Sequence, residues 1–277
     1  MVISELLANA ERDLKDTGNA AFEAMQLVGF VLNIPPGKLI LNGRKEAGKE
    51  AEARLSELIK RRLSNEPLQY ILGSWEFMSL PFFVSKDALI PRQDTETLVE
   101  FILSKTDNSE KTLLDIGTGT GCIPISIAHF KRNFTCLGID LSEKAVALAK
   151  RNAENLKVSD RVDFSVCDIL SEIPEKKFDI VVSNPPYIKS DIIATLMPEV
   201  RDFEPKTALD GGADGLLFYR RICKIAPKIL NKGGLLAFEI GFDQGKEVSE
   251  LMKKDFLNVA VIKDLCRNDR VIIGYAP

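Results

Sequence analysis

The chain has a single histidine, His129, in 277 residues. A Ser-His-Asp arrangement needs an imidazole as its base, and histidine is a mainstay of zinc sites, so both readings lose their central component. His129 stands between apolar Ala128 and Phe130 and is read as structural. The five cysteines (Cys122, Cys136, Cys167, Cys223 and Cys266) are odd in number and scattered, with no C-x-x-C pair. That argues against a disulfide framework or a zinc knuckle, gives no metal site to expect, and suits a reducing cytosol. No apolar run approaches the roughly 18 residues needed to span a bilayer. The start, Met1-Val2-Ile3-Ser4-Glu5, lacks the basic and then apolar character of a signal peptide, so a cytoplasmic protein is expected. A basic surplus is missing too: the net charge is −3, and residues 1–80 hold 10 Lys/Arg against 11 Asp/Glu. The footprint of a nucleic-acid binder is therefore absent, and Lys60-Arg61-Arg62 reads as a solvated helix face.

What is present describes an ordinary globular chain, 45% hydrophobic and 28% charged, long enough for one large domain and a small one. Residues 1–73 read as helices. Leu55, Leu58, Ile59 and Leu63 recur at helical spacing, and a similar stretch over residues 20–32 is stopped by Ile34-Pro35-Pro36-Gly37. Residues 74–92 change to short aromatic and β-branched pieces around Ser79-Leu80-Pro81, the pattern of a hairpin linker. From residue 93 to 277 strands alternate with helices, with Ser142 placed as the N-cap of one helix. The strands fall at 113–116, 136–140, 162–166, 178–183, 235–240, 259–263 and 271–275. Alternation of this kind implies a mostly parallel, doubly wound α/β sheet.

The first strand runs into Asp115-Ile116-Gly117-Thr118-Gly119-Thr120-Gly121. A strand-to-helix turn is where open α/β sheets take ligands, and glycines let the backbone approach one closely. A dinucleotide fingerprint requires a third glycine where this chain has Cys122, which argues against NAD. Asp140 closes the next strand, where an acid can accept hydrogen bonds from ribose hydroxyls. The fourth strand ends in Asn184-Pro185-Pro186-Tyr187. Two prolines without N–H groups leave an edge rich in acceptors, to which Asn184 adds an amide carbonyl and Tyr187 an aromatic face. Such an edge suits a planar, conjugated NH2 group. The competing reading is a plain proline-rich turn.

Taken together, Asp115-x-Gly117-x-Gly119-x-Gly121, the later Asp140 and Asn184-Pro185-Pro186-Tyr187 resemble the S-adenosylmethionine site of class I methyltransferases. The resemblance implies a Rossmann-like, seven-stranded mixed sheet, with S-adenosylmethionine converted to S-adenosylhomocysteine. Gly117, Thr118, Gly119, Thr120, Gly121, Asp140, Asp168, Ile169 and Asn184 would hold the cofactor, with Asp168 and Ile169 flanking the adenine. The competing reading of Asp168 is the cap of a turn. Asn184, Pro185, Pro186 and Tyr187 would be the catalytic and substrate-binding set. The motif leaves adenine N6, guanine N2 and a glutamine amide open.

Residues 66–77, Glu-Pro-Leu-Gln-Tyr-Ile-Leu-Gly-Ser-Trp-Glu-Phe, and 89–100, Leu-Ile-Pro-Arg-Gln-Asp-Thr-Glu-Thr-Leu-Val-Glu, resemble the HemK/PrmC family of release factor glutamine methyltransferases. Many members read Pro-Arg-Pro-Glu-Thr-Glu where this chain has Pro91-Arg92-Gln93-Asp94-Thr95-Glu96. The resemblance implies methylation of N5 of the glutamine in the Gly-Gly-Gln loop of class-1 peptide chain release factors, modulating translation termination. A small helical domain, residues 1–73, would bind the factor. A hairpin linker, 74–92, would lead to the methyltransferase domain, 93–277. Release factors are then the expected partners of a monomer, with no membrane and no direct nucleic acid. The rival readings are a glutamine methyltransferase for a ribosomal protein and a nucleic-acid N6-adenine methyltransferase.

Overall fold

Helices make up the first of two units, Met1–Gly73 with Pro198–Phe203. The computed structural model describes residues 1–107 and 109–277. The helices are α1 (Ile3–Asp13), α2 (Ala20–Leu32), α3 (Lys49–Leu63) and α4 (Leu68–Leu72). Helical spacing decides which side each buries: Ile3, Leu6 and Ala10 on α1, Ala24, Leu27 and Val28 on α2, Leu55, Leu58 and Ile59 on α3. α2 ends as Asn33 turns left-handed (φ 51°), just ahead of two prolines that cannot continue a helix.

Two residues of α3 depart from the sequence pattern. Leu63 keeps the apolar spacing yet is 48% exposed. Arg62, expected on a solvated face, is buried instead. Its guanidinium meets Glu23 at 3.0 Å, Glu199 at 2.9 Å and the Glu66 carbonyl at 3.2 Å. Two carboxylates and a carbonyl supply the partners that a buried cation requires.

The second unit, Ser74–Met197 with Glu204–Pro277, opens on a hairpin of β1 (Ser74–Phe77) and β2 (Leu80–Phe83). The turn falls at Met78-Ser79 rather than Ser79-Leu80-Pro81. Both turn residues have positive φ, 51° and 59°, as a two-residue turn matching strand twist demands. No Asn-Gly marks the turn, so its position is not legible from residue type.

The chain then runs through α5 (Gln93–Lys105), β3 (Lys111–Ile116), α6 (Cys122–Phe130), β4 (Phe134–Asp140), α7 (Glu143–Asn155), β5 (Val162–Val166) and β6 (Phe178–Ser183). The single-turn helix α8 (Pro198–Arg201) belongs to the first unit. After it come α9 (Leu217–Ile229), β7 (Leu230–Glu239), α10 (Gly245–Met252), β8 (Leu257–Lys263) and β9 (Asp269–Tyr275). Ser142 caps α7 as expected, its hydroxyl accepting from the Ala145 N–H at 3.2 Å. Among the described residues no helix is long and apolar enough to cross a membrane.

Seven strands form one sheet in the order β5-β4-β3-β6-β7-β9-β8, with β9 antiparallel to both neighbours and the remaining pairings parallel. Alternation along each strand sends neighbouring side chains to opposite faces. Leu113, Ile180, Leu235 and Val271 join the core under α5, α6 and α7. Leu114, Val181, Leu236 and Ile272 join the core under α9 and α10. Burying each such side chain is worth about 1.5–3 kcal/mol, so both faces are strongly specified. Strand order reverses between β3 and β6, and at such a switch point the loops leaving the two strands part to open a crevice. Those loops carry Gly117–Gly121 and Asn184–Tyr187.

Candidate active site

At the carboxyl ends of β3, β4 and β6 lies a cavity of about 390 Å³. Gly117, Thr118, Gly119 and Thr120 line it from the first loop, Asp140 from the end of β4, and Asp168 and Ile169 from the loop after β5. Asn184, Pro185 and Pro186 form another wall. Ten of the twelve expected residues thus meet around one space. Two do not: Gly121 and Tyr187 are absent from the lining.

Gly121 serves the fold. It holds φ +78°, and a Cβ there would sit 2.9 Å from Ile125, 3.0 Å from Phe164 and 3.1 Å from Ala149. Gly117 is the opposite case. It also holds positive φ, +74°, but a Cβ would meet nothing within 4 Å, so its glycine serves conformation and leaves room for a ligand. The first three amides of the loop are committed to β4. Gly117 and Thr118 donate to the Ile139 carbonyl at 2.8 and 3.0 Å, and Gly119 donates to Asp140 Oδ2 at 2.9 Å. An anionic ligand group is left with the start of α6, where Cys122 and Ile123 reach the cavity.

Asp140 is half-buried and held by two backbone donors, Gly119 at Oδ2 and Ser142 at Oδ1, each 2.9 Å away. Both oxygens keep a lone pair, which suits a ligand with neighbouring hydroxyls. Asp168 caps its turn, accepting from the Leu170 N–H and the Ser171 hydroxyl, both at 2.9 Å, while lining the cavity. Ile169 gives that wall its apolar surface, and its carbonyl accepts from Arg221 at 2.7 Å.

Beneath the glycine loop Asp115 is fully buried. Neither of its carboxylate oxygens, nor the Thr118 hydroxyl, finds a hydrogen-bond partner. Burial pushes the Asp115 carboxyl up to about 7; the nearby Thr118 hydroxyl offsets part of this and the Asp140 charge adds to it.

Asn184 is oriented by α5. Its Nδ2 donates to the Thr95 hydroxyl at 3.2 Å, and Asn184 lines the cavity. The Asn184–Pro185 bond, which the sequence left open, is trans. Tyr187 packs partly buried against the core on the α9 face, and burial pushes its phenol up to about 12. Its backbone is braced: Gln244 Nε2 donates to the Tyr187 carbonyl at 3.1 Å, and Ile188 pairs with residues 209–211 through N–H···O contacts of 3.1 and 2.8 Å.

Two family models match this chain: the PrmC N-terminal domain over residues 5–73, and the methyltransferase small domain over residues 77–197. The release factor glutamine methyltransferase of Clostridium acetobutylicum is 40% identical over 280 residues, covering 99% of this chain and 98% of that protein. The protein of the same name from Geobacter sulfurreducens is 40% identical over 94% of this chain and 91% of its own length. The chain belongs to the release factor glutamine methyltransferase family. Its sheet is that of class I methyltransferases. A crystal structure of a methyltransferase from Pyrococcus furiosus matches it in fold, with a TM-score of 0.53 at 19% identity over 79% of this chain and 98% of that one.

Family membership does not by itself explain four groups at the site that the sequence left unassigned. Arg92 lines the cavity and is paired with the buried Glu204, which also accepts from the Ile90 N–H at 3.4 Å. Glu96 accepts from the Met78 N–H at 2.6 Å and so fastens the hairpin turn. Thr95 lies within the family-like string at residues 91–96, which marked the place without giving the role. Glu239 is a lone acid in the apolar run 235–240, and an acid in a buried strand is itself a signal. His129 is exposed at the end of α6, edge-on to Phe130 at 5.2 Å, and is absent from the cavity lining.

Proposed function

We propose that this protein transfers a methyl group from S-adenosylmethionine to the side-chain amide nitrogen of a glutamine in a class-1 peptide chain release factor, in its Gly-Gly-Gln loop, within the cytoplasm. The observation that carries this reading is the Asn184 amide at the cavity wall, with its N–H engaged by Thr95 and its carbonyl left to accept. The match to the PrmC N-terminal domain over residues 5–73 supports a release factor as the protein that brings the glutamine.

The residues around the cavity fit S-adenosylmethionine. Asp140 has acceptor capacity for two ribose hydroxyls, Ile169 offers a flat apolar wall for an adenine, and the open side of Gly117 leaves space for the chain between them. The buried Asp115 carboxyl beneath the loop, without a hydrogen-bond partner and raised to about 7, would ionise more readily beside a cationic ligand. When bound, the cofactor supplies an electrophilic methyl group on a sulfonium.

This chain's own contribution is position and charge. An amide nitrogen is a poor nucleophile because its lone pair is delocalised into the carbonyl. The Asn184 and Pro185 carbonyls would take its two N–H groups, aim the nitrogen, and stabilise the positive charge that grows on it as the new bond forms. The new N–CH3 bond forms as the methyl–sulfur bond breaks, and one N–H proton then passes to water. No histidine is needed at any stage. Cofactor binding is tested by titration calorimetry on Asp140→Ala, for which a loss of about 1–3 kcal/mol is expected and unchanged affinity would remove the ribose contact. The acceptor is tested by offering radiolabelled donor together with a release factor, ribosomal proteins and nucleic acid. Label on the release factor alone is expected. Label on either competitor instead would overturn the assignment.

A further inference from the structure

Asn184 can do its work only in one of two orientations. With the carbonyl toward the substrate it accepts an N–H; flipped by half a turn it presents its own NH2 to the substrate NH2, donor against donor. Thr95 touches it, but a hydroxyl both donates and accepts, so Thr95 alone would tolerate either orientation. Something must set the direction of the hydroxyl.

The acid beside Thr95 is Glu239. Phe238 lies opposite Ser183 in the parallel β6–β7 register, which brings Glu239 to the strand end from which Asn184 emerges. Its carboxylate is almost fully buried, Oε2 finds no hydrogen-bond partner, and the Thr95 hydroxyl is the neighbour that most favours its charged form. Thr95 itself is 3% exposed in the first turn of α5, so water does not compete for its hydroxyl.

We propose that Thr95 and Glu239 are positioning residues: an acceptor-only carboxylate directs the Thr95 O–H toward itself, so that Thr95 can only accept from Asn184 and the Asn184 carbonyl is held toward the substrate nitrogen. The inference rests on the reading that Asn184 accepts a substrate N–H. It makes the ionised form of Glu239 the working form. Once protonated, Glu239 can donate to Thr95, the Thr95 hydrogen is released toward Asn184, and the flipped amide becomes allowed.

Glu239 is surrounded by groups of both signs. Arg92 and Asp94 face it from the start of α5, Tyr187 from the loop after β6, Cys122 from α6, Tyr219 from α9 and Arg270 from β9. Burial dominates and raises the carboxyl to about 7, with Asp94 adding to the rise and Thr95, Arg270 and Arg92 opposing it. The working form is thus gained as pH rises through about 7.

The test compares Thr95→Val, Thr95→Ser and Glu239→Gln in steady-state methylation across pH, with cofactor affinity measured separately. Thr95→Val is expected to lower kcat about tenfold with cofactor affinity kept, and Thr95→Ser to restore most of the rate, as loss and return of one hydrogen bond would do. Glu239→Gln keeps the volume but adds a donor. It is expected to lower kcat and abolish the rise through neutral pH, and it serves even where Thr95→Val does not fold. A full rate in Thr95→Val, or an unaltered pH profile in Glu239→Gln, would overturn the inference while leaving the acceptor role of Asn184 standing. A second readout needs no methyl transfer: in protein labelled with ¹⁵N asparagine, the Asn184 side-chain amide signals are expected to shift as pH crosses about 7. Signals that stay fixed would contradict the relay. A wild-type enzyme that labels no release factor would instead remove the underlying reading and leave this titration still to be judged on its own.

Discussion

Asn184 gives up its N–H to Thr95 at 3.2 Å, and its carbonyl is what remains for a substrate. Asn184→Ala removes that acceptor without touching Asp140 or the glycine loop. Turnover is therefore expected to fall by about 10²-fold, the scale on which misplacing a reacting group is felt, with cofactor affinity unchanged by calorimetry. Strongly weakened cofactor binding would count against its assigned place. Asp115 offers a separate test at this scale. Its carboxyl is raised to about 7, whereas an unfolded chain ionises near 3.9. The folded protein thus holds a proton that the unfolded chain has released, and stability falls as pH rises between these values. Asp115→Asn removes a cost on the order of a few kcal/mol. The variant should melt above the parent when both lack ligand at pH above about 7, and the gap should close toward about pH 4. A gap of constant size across that range would contradict burial of an ionisable Asp115.

Between elements, Asn152 does more than its place on α7 announces. It is fully buried, accepts from the Phe83 N–H at 2.7 Å, and donates to the carbonyls of Phe83 at 3.1 Å and Thr120 at 2.9 Å. One side chain so ties the hairpin, α7 and the glycine loop together. Asn152→Ala leaves these groups without partners, and a loss of about 1–3 kcal/mol in urea unfolding is expected. A change below about 0.5 kcal/mol, the usual surface value, would show the tie to be idle. Bonds of this kind are what the sequence conceals. Strands β5 and β6 were legible to the residue, β5 from the strict alternation of Val-Asp-Phe-Ser-Val and β6 from its apolar run. That the glycine loop and the end of β4 border one cavity was legible, because both lie at carboxyl ends of parallel strands beside the switch point. Gly121 shares that spacing for a packing reason, and Tyr187 follows the prolines into a core, so motif membership alone did not separate wall from support. Glu204 and Glu239 come from far along the chain, and nothing local ties them to Arg92 and Thr95.

At the scale of the molecule, the segment Pro198–Phe203 groups with the helical unit although it follows the Asn184 loop in sequence. The expected division at residues 73 and 92 had no place for it, since a six-residue return to an earlier unit carries no compositional mark. Within the first unit Arg62 fastens this segment through Glu199. Two parts carry the proposed function: a cavity in the second unit lined by Asn184 and Pro185, and a first unit whose sequence matches the PrmC N-terminal domain. The methyl acceptor proposed for this cavity is a glutamine side chain of a release factor, and tandem mass spectrometry identifies the acceptor residue by residue. Purified release factor, incubated with this enzyme and S-adenosylmethionine, is digested and its peptides fragmented. One added methyl group on the side-chain nitrogen of the Gly-Gly-Gln glutamine is predicted, and none when that glutamine is replaced. A methyl group at any other residue, or one that persists after the replacement, would contradict the account.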